Sequence, residues 1–281
     1  MKPNREPNRR EFMKHAGALA LAPLSRSEEI MLVENTKGGF RFLRGIAPYS
    51  SGAAALSGYE LVHATLIPPR PYREGFEAID RHFKQEGRPP EALCGIELRS
   101  PRPFTFAGFN QFNQSYLEML EKRGILAGGL NPVARTNVAL EIDPPAEVLL
   151  YGFSYTVPSR AAAVTLVAAG AGELTGERLD PRDIVRRGDL SEVGLRDKAD
   201  QVLRWMEERL RGLGASWSAV TAVEVYTVHD IFPLMRKLLV PRLGAAGIHG
   251  IRWHFARPPI EEIEFEMDLR GCLKEVVVRT E

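Results

Sequence analysis

The stretch Tyr72-Arg-Glu-Gly-Phe-Glu-Ala-Ile-Asp-Arg-His-Phe83, followed by Ala92-Leu-Cys-Gly-Ile-Glu-Leu98, decides the fold. Phe76, Ile79 and Phe83 recur at i, i+3 and i+7, an apolar stripe that predicts a helix with one face on a core. Gly87-Arg88-Pro89-Pro90 ends that helix, and 92–98 reads as a strand. Outward from this pair, the pattern predicts a helix over 109–122 and a strand over 135–142. Pro144-Pro145 then breaks the chain before a strand over 147–155. Upstream, 39–44 and 59–67 read as strands, the second stopped by Pro68-Pro69.

The same order returns after residue 158. A strand over 161–169 leads, through a Gly/Asp/Arg-rich connection, to a helix over 195–213. A strand over 219–228, a helix over 232–243, a strand over 251–255, Pro258-Pro259 and a strand over 262–269 complete it. A period this long marks a duplicated domain, because solenoid repeats are shorter. The expected fold class is α+β: two tandem units, each a mixed sheet with two helices on one face. The boundaries read as an N-terminal extension over 1–38, a first unit over 39–157 and a second over 158–281. The free face of each sheet needs a cover, and the natural cover is another unit. Pockets form at such seams.

Bulk composition narrows the function classes. The chain has 281 residues, enough for one large domain or two ordinary ones. Its 37 basic and 36 acidic residues leave a formal charge of +1, which gives no electrostatic footprint for nucleic acid. No apolar run is long enough for a membrane-spanning helix. Cys94 and Cys272 read as two unpaired thiols. The six histidines are scattered, and neither a metal site nor a cofactor is expected.

The N-terminus stands apart. Arg9-Arg10-Glu11-Phe12-Met13-Lys14, followed by the weakly apolar Ala16 to Leu24, resembles a twin-arginine export signal. Pro23 directly after Ala20-Leu21-Ala22 fits a cleavage box poorly. An exported, periplasmic protein and a cytoplasmic protein with an N-terminal extension both remain open readings.

Polar side chains collect at three places in the first unit. Tyr49 lies in the Pro48–Gly52 turn, Asn113 and Tyr116 in the second helix, and Arg135 at the mouth of a strand after Asn131-Pro132-Val133-Ala134. An arginine there presents a planar fork suited to a carboxylate, and a phenol and an amide can orient the rest of a small ligand.

These residues resemble the RidA (YjgF) family of reactive-imine deaminases. The resemblance rests on Ala47-Pro48-Tyr49-Ser50-Ser51-Gly52, Ile67-Pro68, Asn113-Gln-Ser-Tyr116 and Ala134-Arg135-Thr136 closed by Pro144. The second half is similar to the same family through its long helix, Gly214-Ala-Ser-Trp-Ser-Ala-Val, the strand to Tyr226 and Ile263-Glu264-Phe265-Glu266. The resemblance implies two tandem RidA-like (chorismate mutase-like) units and a homo-oligomer, trimeric or pseudo-trimeric. It also implies a cleft for a small-molecule carboxylate substrate. The family's binding arginine falls on Arg135, its cleft tyrosine on Tyr49 and its cleft asparagine on Asn113. Its water-positioning glutamate falls on Leu150 in the first unit but on Glu264 in the second, with Glu266 beside it on the same strand face. The second unit's arginine position falls near His249, or on Arg252. A family serine falls on Ala64.

The expected site therefore joins Arg135, Tyr49 and Asn113 of one unit with Glu264 or Arg252 of the other. Arg135 would hold the substrate carboxylate and Glu264 would act as acid or base in hydrolytic deamination of an enamine or imine. A bland alternative makes 261–266 a solvated strand face paired with Arg252 and Arg257. Two other functions stay open. The duplicated plan is similar to the chorismatases, which cleave an enolpyruvyl ether, although this chain is shorter and lacks their usual signatures. The replacements at Leu150 and Ala64 favour a non-catalytic metabolite-binding protein.

Overall fold

The structure, a computed structural model, describes residues 31–176 and 179–280. The expected export signal lies outside the described residues. Three short strands open the fold, Leu32–Asn35 (β1), Phe40–Leu43 (β2) and Gly52–Ala55 (β3). Then come strand Tyr59–Pro71 (β4), helix Tyr72–Glu86 (α1), strand Leu93–Ser100 (β5) and helix Phe106–Glu121 (α2). Strands Ala134–Leu140 (β6), Leu149–Pro158 (β7) and Leu166–Gly172 (β8) lead to helix Glu192–Gly212 (α3) and strand Ala222–Tyr226 (β9). After short helical turns over 232–249 come strands Arg252–His254 (β10), Ala256–Arg257 (β11), Glu266–Gly271 (β12) and Lys274–Arg279 (β13).

Local chemistry explains the helices. In α1, Phe76, Ile79 and Phe83 are buried, and Gly87 caps the end at φ 64° with its N–H on the Phe83 carbonyl. Thr105 caps α2 by accepting from the Gly108 N–H, and Ser191 caps α3 by accepting from that of Gly194. The single helix expected over 232–243 is instead broken. Pro233 and Pro241 each sit in the first turn of a short helical piece, with a π-helical turn over Met235–Leu239 between them. Proline supplies no N–H, so the helix restarts rather than continues at Pro241.

The strands form two mixed sheets. One has seven strands in the order β1-β2-β3-β8-β12-β9-β10, and the other six in the order β11-β6-β5-β7-β4-β13. The sheets exchange strands across residue 158: β1 to β3 join the sheet built mainly from later strands, while β11 and β13 join the one built from β4 to β7. The described residues make one compact unit.

Each sheet has its own helical core. Phe76, Ile79, Phe83, Tyr116 and Leu120 of α1 and α2 pack on Leu66, Ile96, Leu98 and Phe153 of the six-stranded sheet. Val202, Leu203, Met206 and Leu210 of α3 pack with Leu234, Leu239 and Leu243 on Val223, Val225, Met267 and Leu269 of the seven-stranded sheet. The alternation in β12 sends Met267 and Leu269 into that core and turns Glu266, Asp268 and Arg270 the other way. There Arg270 meets Glu97 of β5 at 3.3 Å and Glu224 of β9 at 2.9 Å. The two sheets thus cover one another, and part of their interface is charged.

Candidate functional site

Arg135 stands near the start of β6, where the strand's outer edge is not yet covered by β11, which pairs only with Ala139 and Leu140. Asn131 sets up its approach: its Nδ2 donates to the Pro48 carbonyl at 2.7 Å and its Oδ1 accepts from the Val133 N–H at 2.9 Å. Ser50 donates from its hydroxyl to the Pro132 carbonyl at 3.0 Å. These bonds dock the turn that carries Tyr49 onto the strand that carries Arg135. The guanidinium carbon then lies 4.8 Å from the Tyr49 ring centre, 5.3 Å from Phe109 and 4.6 Å from Tyr116.

Arg135 is 3% exposed, yet its hydrogen bonding is incomplete. Nη2 donates to Asn113 Oδ1 at 2.6 Å. Nη1 has no partner among the described residues, and neither do Asn113 Nδ2, the Tyr116 hydroxyl and Asn137 Nδ2, all buried. Buried donors left unpaired cost about 1–3 kcal/mol each, and two of these residues, Arg135 and Asn137, line a cleft in which a ligand can supply acceptors. Burial pulls the Arg135 pKa down, against Tyr116, Tyr49 and Glu266, and aromatic rings lie against its guanidinium.

A cleft with a cavity volume of about 80 Å³ opens beside Arg135. Tyr49, Phe109, Arg135 and Asn137 line one side. Gly170 to Gly172 of β8, Trp205 and Arg209 of α3, and Ile260, Ile263 and Glu266 line the other. Trp205 is fixed by donating from Nε1 to the Leu174 carbonyl at 2.8 Å, and Arg209 by donating from Nη1 to the Ala169 carbonyl at 2.6 Å.

Glu266 is the acid of this cleft. Burial, reinforced by the Asp268 carboxyl, raises its pKa well above the usual carboxylate range, against the opposing charges of Arg209 and Arg135. Room for its carboxyl comes from Gly170, where a Cβ would stand 2.1 Å from Glu266 Oε1. A neutral carboxyl beside a buried cation can give and take a proton at a bound ligand. Among the described residues no group of three or more histidine, cysteine or acidic side chains is arranged to hold a metal ion.

The structure brings together three of the expected residues, Arg135, Tyr49 and Asn113. It does not bring Glu264 or Arg252 to them. Glu264 precedes β12, and its carboxylate accepts from or pairs with His229 Nε2 at 2.8 Å. The shift has a physical cause: Glu173 accepts the Glu264 and Phe265 backbone N–H groups at 2.7 and 3.0 Å, so this stretch is held outside the strand ladder. Glu264 and Glu266 therefore do not share a strand face. Arg252 is half exposed in β10 and pairs with Glu224 at 3.0 Å and Glu275 at 3.8 Å. Sequence reasoning gave Glu266 only as a neighbour of Glu264 and missed Asn137, Trp205 and Arg209. The alternation Glu266-Met-Asp268-Leu-Arg270 was the available signal, as charges at every second position between apolar residues mark a polar strand face.

A curated relative, the 2-amino-5-chloromuconate deaminase of Comamonas testosteroni, is 40% identical over 244 residues, 86% of this chain and 96% of that protein. A chorismatase crystal structure aligns with TM-score 0.43 and 14% identity, covering 85% of this chain and 78% of that one. The model of the family described as 2-aminomuconate deaminase CnbZ matches residues 32–276, and the chain belongs to that family.

Proposed function

We propose that this chain is a hydrolytic deaminase of a conjugated amino-dicarboxylate of the 2-aminomuconate type. The observation that carries the reading is the buried Arg135, its Nη1 without a partner among the described residues, in one cleft with the buried Glu266, whose pKa burial raises. The names of the family and of the curated relative support the same substrate class.

Arg135 holds the carboxylate next to the amino-bearing carbon, and the aromatic walls of Tyr49 and Phe109 pack on the flat diene. Neutral Glu266 gives its proton to a chain carbon of the enamine, which becomes an iminium. The Glu266 carboxylate then takes a proton from water as the water oxygen bonds to the iminium carbon. In the resulting carbinolamine the hydroxyl proton passes to nitrogen, the C–N bond breaks, and ammonia leaves behind a carbonyl. One water is consumed, one ammonia is released, and Glu266 ends protonated as it began.

The test is ammonia release from freshly generated 2-aminomuconate, followed with formation of the oxo product. Wild type should turn over, and Arg135→Ala and Glu266→Gln should lose it by a hundredfold or more, roughly the contribution of one positioned acid. Saturable binding without ammonia would instead identify a metabolite binder and overturn the enzymatic reading.

A further inference from the structure

Asn137 is the second residue of β6 to line the cleft, and the reaction above gives it no task. It lies two positions after Arg135 on the same face of the strand, about 7 Å along it by strand geometry. It is buried, 3% exposed. Its amide is locked from behind: the fully buried Ser100 hydroxyl donates to Asn137 Oδ1 at 2.8 Å. That bond fixes which end of the amide is free, and Nδ2 is left without a partner among the described residues. An unpaired, buried, oriented donor on the wall of a cleft is a ligand contact in waiting.

We propose that Asn137 Nδ2 binds the distal carboxylate of the substrate, and that Ser100 is the positioning residue that holds it for this. The proposal rests on the deaminase reading above. The charge-assisted bond to Arg135 places the first carboxylate and brings the amino-bearing carbon to Glu266. The remaining chain then runs along β6 toward Asn137. The strand spacing between the two residues is comparable with the separation of the carboxyl carbons in an extended six-carbon diene. The pair thereby measures the chain as well as its charge: a substrate with one carboxylate satisfies Arg135 and leaves Asn137 unpaired. Such a site rejects the analogue that lacks the group, because its own buried donor is then left without a partner.

Binding separates this inference from the reaction. Muconate and sorbate share the same six-carbon diene and differ in the second carboxylate. Calorimetric titration of the full chain should give wild type a clear preference for muconate. Asn137→Ala should weaken muconate by about tenfold to a hundredfold, the range for a hydrogen bond to a charged group, and change sorbate by no more than about twofold. Asn137→Asp, which turns a donor toward an acceptor, should weaken muconate further. Ser100→Ala should reduce the preference by a smaller factor than Asn137→Ala does. An equal loss for both ligands in Asn137→Ala, or an unchanged muconate-to-sorbate ratio, overturns the proposal. If Arg209 rather than Asn137 takes the distal group, Arg209→Met collapses the ratio while Asn137→Ala preserves it, which also overturns it. Wild type that binds muconate with the predicted preference but releases no ammonia from 2-aminomuconate defeats the deaminase reading and leaves the Asn137 contact standing.

Discussion

At the scale of single residues, the proposed chemistry turns on one carboxyl and the glycine that makes space for it. Glu266 is buried against Gly170, and burial, with the Asp268 carboxyl beside it, raises its pKa because ionising there would put a charge into a poorly solvated site. If neutral Glu266 is the proton donor, kcat must fall as pH rises through its raised pKa. Glu266→Gln removes that alkaline limb together with the rate, whereas Glu264→Gln, which changes a His229 partner outside the cleft, keeps the limb. A pH–rate profile with the same limb in Glu266→Gln would exclude Glu266 as the titrating acid. Gly170→Ala places a methyl where Oε1 now sits and should cut kcat severely with a smaller effect on ligand binding, since Arg135 is untouched. That Arg135, Tyr49 and Asn113 come together was readable from the order and spacing of short motifs, none of which is specific alone. Glu264 misled because two glutamates two apart read as one strand face. The start of β12 is set from far away, by Glu173 holding the backbone of 264 and 265.

At the scale of elements, that glutamate is a latch between three segments. Lys198 of α3 donates to Glu173 Oε1 at 3.1 Å and to the Val185 carbonyl at 2.8 Å, and both charged side chains are fully buried. Glu173 follows β8 directly, so the pair ties α3, the end of β8 and the approach to Glu266 into one arrangement. A buried pair broken from one side leaves an uncompensated charge, at about 3–5 kcal/mol. Lys198→Met should lower stability by that order, read as a shift of the urea midpoint at constant slope. The double variant Lys198→Met/Glu173→Gln should lose less than the sum of the single variants, because neither charge is then stranded. Additive losses would show that the pair is not coupled. The helices were legible for the opposite reason: the apolar stripe of α1, its Gly87 cap and the long stripe of α3 are encoded within a few residues of where they act. Strand exchange is not local. β13 pairs in parallel with β4 from some two hundred residues away, and no period in either segment announces its partner.

At the scale of the whole molecule, the two sheets meet through an interface that changes character along its length. Phe40, Phe42, Leu61 and Cys94 make one region apolar, while Glu97, Arg270, Glu224 and Asp268 make another charged. Its titration links the stability of the fold to pH. Against the cost of its burial, the charges of His63, Arg270 and Arg99 hold Glu97 down at about 2. Burial, then the carboxylates of Glu97 and Glu224, pushes Asp268 up to about 7, although Arg270 opposes it. Tyr226 donates its hydroxyl to Asp268 Oδ2 at 2.9 Å, and Arg99 and Glu266 also feel its charge. An unfolded aspartate titrates near 4, so the raised folded value means that Asp268 favours the native state below about pH 4. That contribution is lost progressively as pH rises through about 7. Glu97 acts in the opposite sense, with a contribution present above about pH 4 and lost as pH falls through about 2. His63, lowered by burial despite Glu97, is a third contributor, favouring the native state above its unfolded pKa and less as pH falls. The Asp268 part is isolated by comparing wild type with Asp268→Asn, whose amide stays neutral throughout. Near pH 4 the two should melt at similar temperatures. From pH 4 to pH 8 the wild-type midpoint should fall relative to that of Asp268→Asn, with the fall spread between about pH 4 and about pH 7 and levelling off above that. A difference in midpoint that stays constant over this range would mean that Asp268 ionises at its ordinary value and that the charged part of the interface is open to water.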